Sequence, residues 1–345
     1  MKKFIFFRND RLGDFLIITN LISAVKKKYP TANITVVSSK FNHHFINKYK
    51  IIDRVILYDK NFNIFKKIKI FKKIINRNYD ASFVLDGKSF SFLCNLFISS
   101  KKRFALFYKY KFFGISFLKP NFLHTFFYDH FDTITSKKYL TRIEHLPSKF
   151  INLGNRLDLK IKQKDKYFFS PPTNDYKIKN KIKKIIKGNY VLIHLDEKWL
   201  DIKDINDNLY DNLITFQKKI NKKVLLTSFN NSFDYFKNLK NILKKNKNKN
   251  IILFENSPLD VMERMIYYSL FAISCHSGFL VQISGANNSK IIDIINKKDF
   301  IWYSCWVPKN AFHRFVFKSN NRISFELKKI LFDVYQIIKN QKVTK

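Results

Sequence analysis

The start of the chain alternates between apolar and polar segments in a pattern that predicts strand, helix and strand. Residues 4–7 are all apolar, and the polar turn at residues 8–14 ends that run before it reaches the length of a signal peptide. Apolar residues then recur at helical spacing through residues 15–28, and residues 32–38 are rich in β-branched side chains. This order is typical of a parallel α/β sheet that begins with a buried strand.

The same alternation continues to about the middle of the chain. Apolar runs predict strands at residues 54–58 and 81–85, and helical spacing predicts helices around residues 41–49, 64–76 and 144–159. The first half is therefore predicted to be Rossmann-like.

A second α/β series follows a polar, Lys-rich segment with two consecutive prolines at residues 160–187. Its predicted elements are strands at residues 190–194, 223–227, 251–254, 271–274 and 289–295, and helices at residues 208–219, 260–269, 278–286 and 324–339. We predict an N-terminal domain over residues 1–165, a linker over 166–187 and a C-terminal domain over 188–345. The last, amphipathic helix is expected to pack back towards the first domain.

Residues 97–131 do not follow this alternation, because their aromatic side chains are interleaved with lysines. They form either a loop whose aromatic residues pack on the core or a surface that faces a membrane. The sequence leaves both interpretations open.

The formal net charge of +39 suggests an anionic partner. Only 10 of the 65 basic residues are arginines, however, and they are spread along the chain, whereas nucleic-acid binders favour clustered arginines. Lys, Asn, Ile and Phe are enriched together, which is the pattern left by A/T-rich codons. We therefore expect attraction to an anionic membrane surface and do not expect nucleic acid as the partner.

The cysteine count adds a weaker indication. Cys94, Cys275 and Cys305 have no metal-binding spacing and cannot all pair with one another. This favours a reducing compartment, so the protein is expected to be cytoplasmic.

The turn after the first strand contains the first candidate site, because ligands bind at the carboxyl ends of strands in open α/β sheets. Arg11 and Gly13 are candidates for substrate contact, since Gly13 permits a tight turn or a close approach. Asp14 has two interpretations. It is an N-cap carboxylate for the following helix, or it is a general base that removes a proton from a sugar hydroxyl.

Four segments of the first half occur in the order and spacing of a known family. Residues 11–19 resemble an R-x-G-D opening motif, and residues 26–37 resemble a (K/R)-x-x-(F/Y)-P-x-A segment. Residues 52–56 and 78–86 resemble ID-x-V and YD strands. These segments resemble glycosyltransferase family 9, the ADP-heptose:lipopolysaccharide heptosyltransferase-like enzymes. The resemblance implies an α/β GT-B fold, in which two Rossmann-like domains face a cleft, and it implies that Asp14 is the catalytic base.

The second half departs from the family after its first strand. The family has a His-x-Gly motif there, followed by a lysine that binds the phosphates of the donor. This chain has His194 but no glycine two residues later, and either Lys198 or Lys203 could supply the ammonium group. Both lysines also fit an ordinary exposed surface.

A second departure lies in the donor motif, which in the family is D-(S/T)-G-x-x-H. Here His276 stands in place of the aspartate, Ser277 and Gly278 are kept, and Val281 stands in place of the final histidine. A Ser-Gly turn that opens a helix suits a diphosphate, because the helix N-terminus offers N–H groups and a positive dipole end. It also fits an ordinary connection between a strand and a helix.

The resemblance implies an inverting, metal-independent glycosyltransferase without a cofactor. Its expected donor is a nucleotide-diphospho-sugar, with a heptose as one candidate sugar, and its expected acceptor is a lipid-linked glycan such as lipopolysaccharide at the cytoplasmic face of the inner membrane. The departures leave open a catalytically inactive glycan-binding homologue, and the charge leaves open a basic nucleic-acid-binding protein.

Overall fold

The chain forms two compact units, each built around its own sheet. The computed structural model describes residues 1–47, 49–113, 115–161, 190–229, 232–246, 249–308, 312–319 and 326–341. The first unit comprises Met1–Ser170 and Ser304–Trp306, and the second comprises Pro171–Tyr303 and Val307–Lys345. The linker predicted at residues 166–187 lies outside the described residues.

The first unit contains a mostly parallel sheet whose central strands are buried. Its strands are β1 Lys3–Arg8, β2 Asn33–Ser38, β3 Arg54–Leu57, β5 Ala81–Val84, β7 Arg103–Phe112, β8 Ile115–Lys119 and β9 His130–Thr135, with the short pair β4 Asn78–Tyr79 and β6 Ser99–Ser100 beside it. The order is β3-β2-β1-β5-β7-β8, and β9 also pairs with β7. The predicted apolar first strand is confirmed, since β1 lies between β2 and β5 in parallel register.

The helices of the first unit follow the predicted pattern with two differences: the helix at Ser89–Phe97 was not predicted from the sequence, and one predicted helix is divided. They are α1 Leu12–Ile17, α2 Thr19–Lys28, α3 His43–Ile46, α4 Ile64–Ile75, α5 Ser89–Phe97 and α6 Pro147–Asn155. The single helix predicted over residues 15–28 is divided at Ile18. The Thr19 hydroxyl donates to the Leu16 carbonyl at 2.7 Å, a local bond that competes with regular helical hydrogen bonding.

The second unit contains a fully parallel sheet in the order β12-β11-β10-β13-β14-β15, the strand order of a dinucleotide-binding Rossmann sheet. The strands are β10 Tyr190–His194, β11 Lys223–Ser228, β12 Ile251–Glu255, β13 Phe271–Ser274, β14 Ile291–Asn296 and β15 His313–Lys318. The helices are α7 Ile205–Ile220, α8 Asp234–Asn246, α9 Leu259–Tyr268, α10 Gly278–Asn287, α11 Phe300–Ser304 and α12 Glu326–Asn340. The edge strand β15 was not predicted from the sequence.

The last helix, which was expected to pack back towards the first domain, belongs to the second unit. Helix α12 packs on α7 and β15 of its own unit. Its apolar stripe, which includes Leu327, Ile330 and Val334, is part of that unit's core. Ser304–Trp306 is a short segment from the C-terminal half of the chain that belongs to the first unit. There the Cys305 carbonyl accepts the N–H of Leu146 at 3.0 Å.

The aromatic stretch at residues 97–131 contains strands β7 and β8 and the start of β9, so the prediction of a loop is wrong. Phe104 and Phe107 are fully buried in the core, as one interpretation expected. Other apolar side chains are exposed on the β7–β8 hairpin, on the turn at Phe122–Phe127 that packs against β8, and at the start of β9. We call these the exposed aromatic surface: Phe113, Ile115, Phe117, Leu123, Phe126, Phe127 and Phe131.

Candidate functional sites

Each sheet places a cluster of charged residues at its topological switch point. In the first sheet, β2 and β3 lie on one side of β1 and β5 lies on the other, so the switch point is between β1 and β5. In the second sheet it is between β10 and β13 for the same reason. Ligands of open α/β sheets bind beyond the carboxyl ends of the strands at such points.

The first cluster is organised by a buried arginine, Arg8, at the end of β1. Its Nε donates to the Asp14 carbonyl at 2.9 Å, its guanidinium also donates to the Leu85 carbonyl, and it pairs with Asp10 at 3.0 Å. Burial opposes the charge, but Asp10 and Asp14 hold the pKa of Arg8 above its ordinary value. Arg8 is therefore a permanent cation beneath the turn.

Asp14 lies inside the helix, at its third position, and Arg11 occupies the N-cap. The simple N-cap interpretation of Asp14 is therefore wrong. One carboxylate oxygen of Asp14 instead accepts the backbone N–H of Arg11 at 3.3 Å, and the other lies 3.9 Å from the Arg8 guanidinium. The Asp14 side chain is 39% exposed, so its carboxylate is open to a ligand. Arg11 is exposed and Gly13 is buried within the helix.

A second carboxyl group, Asp10, lies near Asp14 and was not predicted as a site residue from the sequence. Burial raises the pKa of Asp10 well above its ordinary value, and the Asp14 charge adds to this, although Arg8 opposes it. Its Oδ1 is buried and has no hydrogen-bond partner among the described residues. A carboxyl group in a polar turn after a buried strand was the available signal.

Asp86, which follows β5, ties the carboxyl ends of two strands together. It accepts hydrogen bonds from the Ser91 hydroxyl at 2.6 Å and from the N–H groups of Asn9 and Lys88 at 3.1 Å. Burial raises its pKa even though these donors favour the anion. Asp86 therefore fixes the start of the turn that contains Asp10 and leads to Asp14.

In the second unit, His194 is a buried structural residue. Its Nδ1 lies 3.1 Å from the Thr227 hydroxyl, and its carbonyl accepts the Trp199 indole N–H at 2.8 Å. Burial lowers the pKa of His194 to about 4, so its ring is neutral at physiological pH. Asp196 occupies the position of the family's glycine, and burial raises its pKa to about 7.

The structure separates the two candidate lysines. Lys198 Nζ donates to the His276 carbonyl at 2.6 Å and lies over the Tyr303 ring at 5.6 Å from its centroid. Lys203 is exposed, and its backbone N–H reaches Glu326 of α12 at 3.4 Å. Of these two lysines, Lys198 is the one beside the His276 motif.

His276, Ser277 and Gly278 connect β13 to α10, as the sequence pattern indicated. His276 is buried with a φ of +55°, Ser277 is the N-cap of α10, and the Ser277 N–H donates to the Ser274 hydroxyl at 3.1 Å. The position of the family's final histidine is occupied by Val281, which is buried. The first N–H groups of a helix lack intrahelical acceptors, which makes this turn a candidate diphosphate site.

The described ranges contain neither a candidate metal cluster nor a membrane-spanning helix. No cluster of three or more His, Cys, Asp or Glu side chains in these ranges has a metal-binding arrangement. No helix in the described part of the chain is both long and apolar enough to cross a bilayer.

No family model matches the sequence, and no curated protein matches it. Solved structures do match over nearly the whole chain. E. coli heptosyltransferase WaaC with ADP aligns over 98% of this chain and 99% of its own, with 14% identity and a TM-score of 0.64. A family 9 glycosyltransferase from Veillonella parvula aligns over 99% and 89%, with 13% identity and a TM-score of 0.66. UDP-GlcNAc 2-epimerase from Methanocaldococcus jannaschii aligns over 99% and 93%, with 12% identity and a TM-score of 0.58.

These similarities establish the fold as α/β of the GT-B class, with two Rossmann-like units. The resemblance to family 9 glycosyltransferases that the sequence motifs indicated is thereby confirmed at the level of structure. The epimerase has the same fold, so the fold does not determine the reaction.

Proposed function

We propose that this protein is a glycosyltransferase that uses a nucleotide-diphospho-sugar as its donor. The observation that carries the proposal is the turn His276–Gly278, which opens a ten-residue helix at the switch point of the second sheet with Lys198 beside it. A helix N-terminus and an ammonium group together suit two adjacent phosphates. The similar E. coli enzyme was solved with ADP, so ADP is the first nucleotide to test.

On the donor side, Lys198 and the N–H groups at the start of α10 stabilise the negative charge that develops on the leaving diphosphate. These groups are fixed before the donor binds, because Lys198 is anchored on the His276 carbonyl and Ser277 on Ser274. Lys198 and these N–H groups stabilise the charge of the leaving diphosphate without a metal ion or other cofactor. Turnover should therefore be unchanged in the presence of EDTA.

On the acceptor side, Asp14 removes the proton from the attacking sugar hydroxyl. Its partly exposed carboxylate at the carboxyl end of β1 supports this role. One of its carboxylate oxygens accepts the N–H of Arg11, and the other lies 3.9 Å from the Arg8 guanidinium. Direct displacement by the hydroxyl inverts the anomeric centre. The acceptor is a cell-surface glycan, of which lipopolysaccharide is the one implied by the resemblance to family 9 glycosyltransferases.

We propose that the protein is cytoplasmic and binds peripherally to an anionic membrane through the exposed aromatic surface. Its side chains lie on the β7–β8 hairpin, on the adjoining turn and on β9, and exposed Lys111 and Lys119 lie on the same hairpin. Aromatic residues insert at a lipid interface while lysines contact anionic headgroups.

Vesicle binding tests this membrane proposal. The protein should bind phosphatidylserine vesicles and lose most of that binding at 1 M salt, where the screening length falls to about 3 Å. Phe113→Ser combined with Phe126→Ser should reduce binding, whereas Phe332→Ser, at an exposed residue of the second unit, should not. Equal binding to neutral vesicles, or equal loss in both variants, would contradict the proposal.

Thermal shift with ADP, UDP and their sugars tests the donor site directly. A bound nucleotide stabilises the protein by RT ln(1 + [L]/Kd), so a saturating nucleotide should raise the melting temperature by several degrees. Lys198→Ala should weaken ADP binding about tenfold or more, because it removes a charge-assisted contact, and Lys203→Ala should leave it unchanged. Equal effects of the two variants would remove the assignment of Lys198.

The altered motif supports one alternative, a homologue that binds donor without transferring sugar. Val281 replaces the histidine of the family motif, and Asp196 places a titratable carboxyl where the family has glycine. Donor binding without product formation from any tested acceptor would favour this alternative over the enzyme.

A further inference from the structure

His276 is held in an unfavourable backbone conformation by contacts from several residues. Its φ of +55° is rare for a residue other than glycine and persists only where the surroundings impose it. The His276 N–H donates to Asp293 Oδ1 at 2.6 Å, and the ring stacks on Tyr303 with centroids 3.5 Å apart. Lys198 holds the His276 carbonyl. The backbone and ring of His276 are thus fixed from several sides.

The contact with Asp293 determines which nitrogen of the ring carries a proton. His276 Nδ1 lies 2.5 Å from Asp293 Oδ2, and a carboxylate only accepts hydrogen bonds, so Nδ1 is the donor. In the neutral ring the other nitrogen, Nε2, is then an acceptor that cannot donate to a phosphate. Only the imidazolium form has an Nε2–H to donate.

The carboxylate of Asp293 is the acidic group that faces His276 Nδ1. Asp293 is completely buried, which opposes ionisation, but His276 and His313 hold its pKa below the ordinary value. His313 Nε2 lies 3.5 Å from the same oxygen, Oδ2. The other ionisable groups next to His276 are Lys198, Tyr303, Cys275 and, beyond Lys198, Asp196.

We propose that Asp293 is a positioning residue that, with the stacked ring of Tyr303, presents His276 as a cationic donor to the diphosphate at the start of α10. This inference rests on the proposed function, because it assigns His276 to the same donor site. Asp293 comes from β14, one strand further along the sheet, and lies 17 residues from His276 in the sequence. It acts on the ligand only through the imidazole.

The proposal predicts that ADP binds more tightly at low pH and that Asp293→Asn removes this dependence. Calorimetry should measure the Kd for ADP in both proteins at pH 6 and at pH 8.5. The factor by which the Kd rises over this range should be at least about tenfold larger in wild type than in the variant. The asparagine amide donates to Nδ1, so Nε2 carries the proton in the neutral ring and binding no longer needs an imidazolium. Protonation of ADP itself is common to both proteins and cancels in the comparison.

Two matched variants separate this proposal from other sources of pH dependence. Asp207→Asn, at an exposed position of α7, should behave as wild type. Asp196→Asn should keep most of the pH dependence, although Asp196 titrates near pH 7. If Asp293→Asn retains the full dependence, or Asp196→Asn abolishes it, the proposal is wrong. Should Asp293→Asn fail to fold, His276→Gln is expected to abolish the dependence in its place.

Ring-nitrogen NMR of the ligand-free protein separates this inference from the proposed function. The His276 signals, identified by their loss in His276→Gln, should report protonated Nδ1 in wild type and protonated Nε2 in Asp293→Asn at pH 8.5. If neither ADP nor UDP binds at any pH, the proposed donor site is contradicted. The tautomer of His276 then still tests whether Asp293 positions the His276 ring. If both proteins have the same tautomer, the positioning role is contradicted whether or not a nucleotide binds.

Discussion

The carboxyl ends of the two sheets have the same topology but opposite electrostatic character. In the first unit, Asp10, Asp14 and Asp86 surround one buried arginine, and a partly exposed carboxylate is left at the surface. In the second unit, Lys198 and His276 flank a helix N-terminus. One end is suited to accepting a proton and the other to holding an anion. The net charge of +39 gives no indication of this division, so the local sign matters more than the total.

The largest expected effect is the loss of the cation that holds the first cluster together. Arg8→Met removes the partner of Asp10 and Asp14, so the free energy of unfolding should fall by about 3–5 kcal/mol. Lys101→Met is the matched control, because Lys101 is 78% exposed and its ion pair with Asp80 contributes at most about 1 kcal/mol. Denaturant titration measures both, and similar losses in the two variants would argue against a central role for Arg8.

A second effect concerns Asp196 in the second cluster. Its folded-state pKa of about 7 lies above the unfolded value of 3.8, so the stability it contributes is present below pH 4 and is lost as pH rises through 7. Asp196→Asn should therefore match wild type near pH 4 and exceed it at pH 8 by up to about 4 kcal/mol. Wild type alone would hide this, because the lowered pKa of His194 changes stability in the opposite direction over the same range.

Urea titrations of the Asp196→Asn variant at several pH values measure this difference. A constant offset between variant and wild type across the pH range would mean that Asp196 is not a buried carboxyl that titrates near neutrality.

A smaller effect is expected at Gly87 beside the first cluster. Its φ is +64°, and an added Cβ would lie 2.2 Å from the Tyr108 ring. Gly87→Ala should cost about 2–3 kcal/mol through backbone strain and displacement of that ring. Gly285→Ala provides a comparison at a normal φ, because its Cβ would meet the Pro308 ring at 2.3 Å. A loss at Gly87 no larger than at Gly285 would mean that the positive φ adds little.

Much of this fold was predictable because the strands are short apolar runs buried on both faces. Strands β1, β2, β5, β10, β11 and β13 lie where the apolar runs predicted them. Local patterns failed where distant contacts decide the structure. In the hairpin at residues 103–119, aromatic side chains occur at both buried and exposed positions. The sequence therefore lacks the regular alternation of apolar and polar residues that would predict these strands.

The candidate sites divide in the same way. Motifs located Asp14, Lys198 and the turn at His276, because strand ends and turns are local features. The pairing of His276 with Asp293 joins residues on different strands, and the partnerless oxygen of Asp10 depends on three-dimensional packing. The spacing of residues within a short sequence motif predicts neither of these two features. The choice between Lys198 and Lys203 likewise needed the position of the His276 carbonyl.

The most direct test of the division between proton-accepting and anion-holding ends is the turnover of Asp14→Asn with a donor identified by nucleotide screening. Asparagine keeps an oxygen for the Arg11 N–H but cannot accept a proton. The variant should fold with near-normal stability and bind nucleotide as wild type does, while turnover falls by about 10²–10⁴-fold. If Asp14 serves only the helix, Asp14→Ala should cost about 1 kcal/mol and leave activity largely intact. Retained turnover in Asp14→Asn would contradict the assignment of Asp14 as the base.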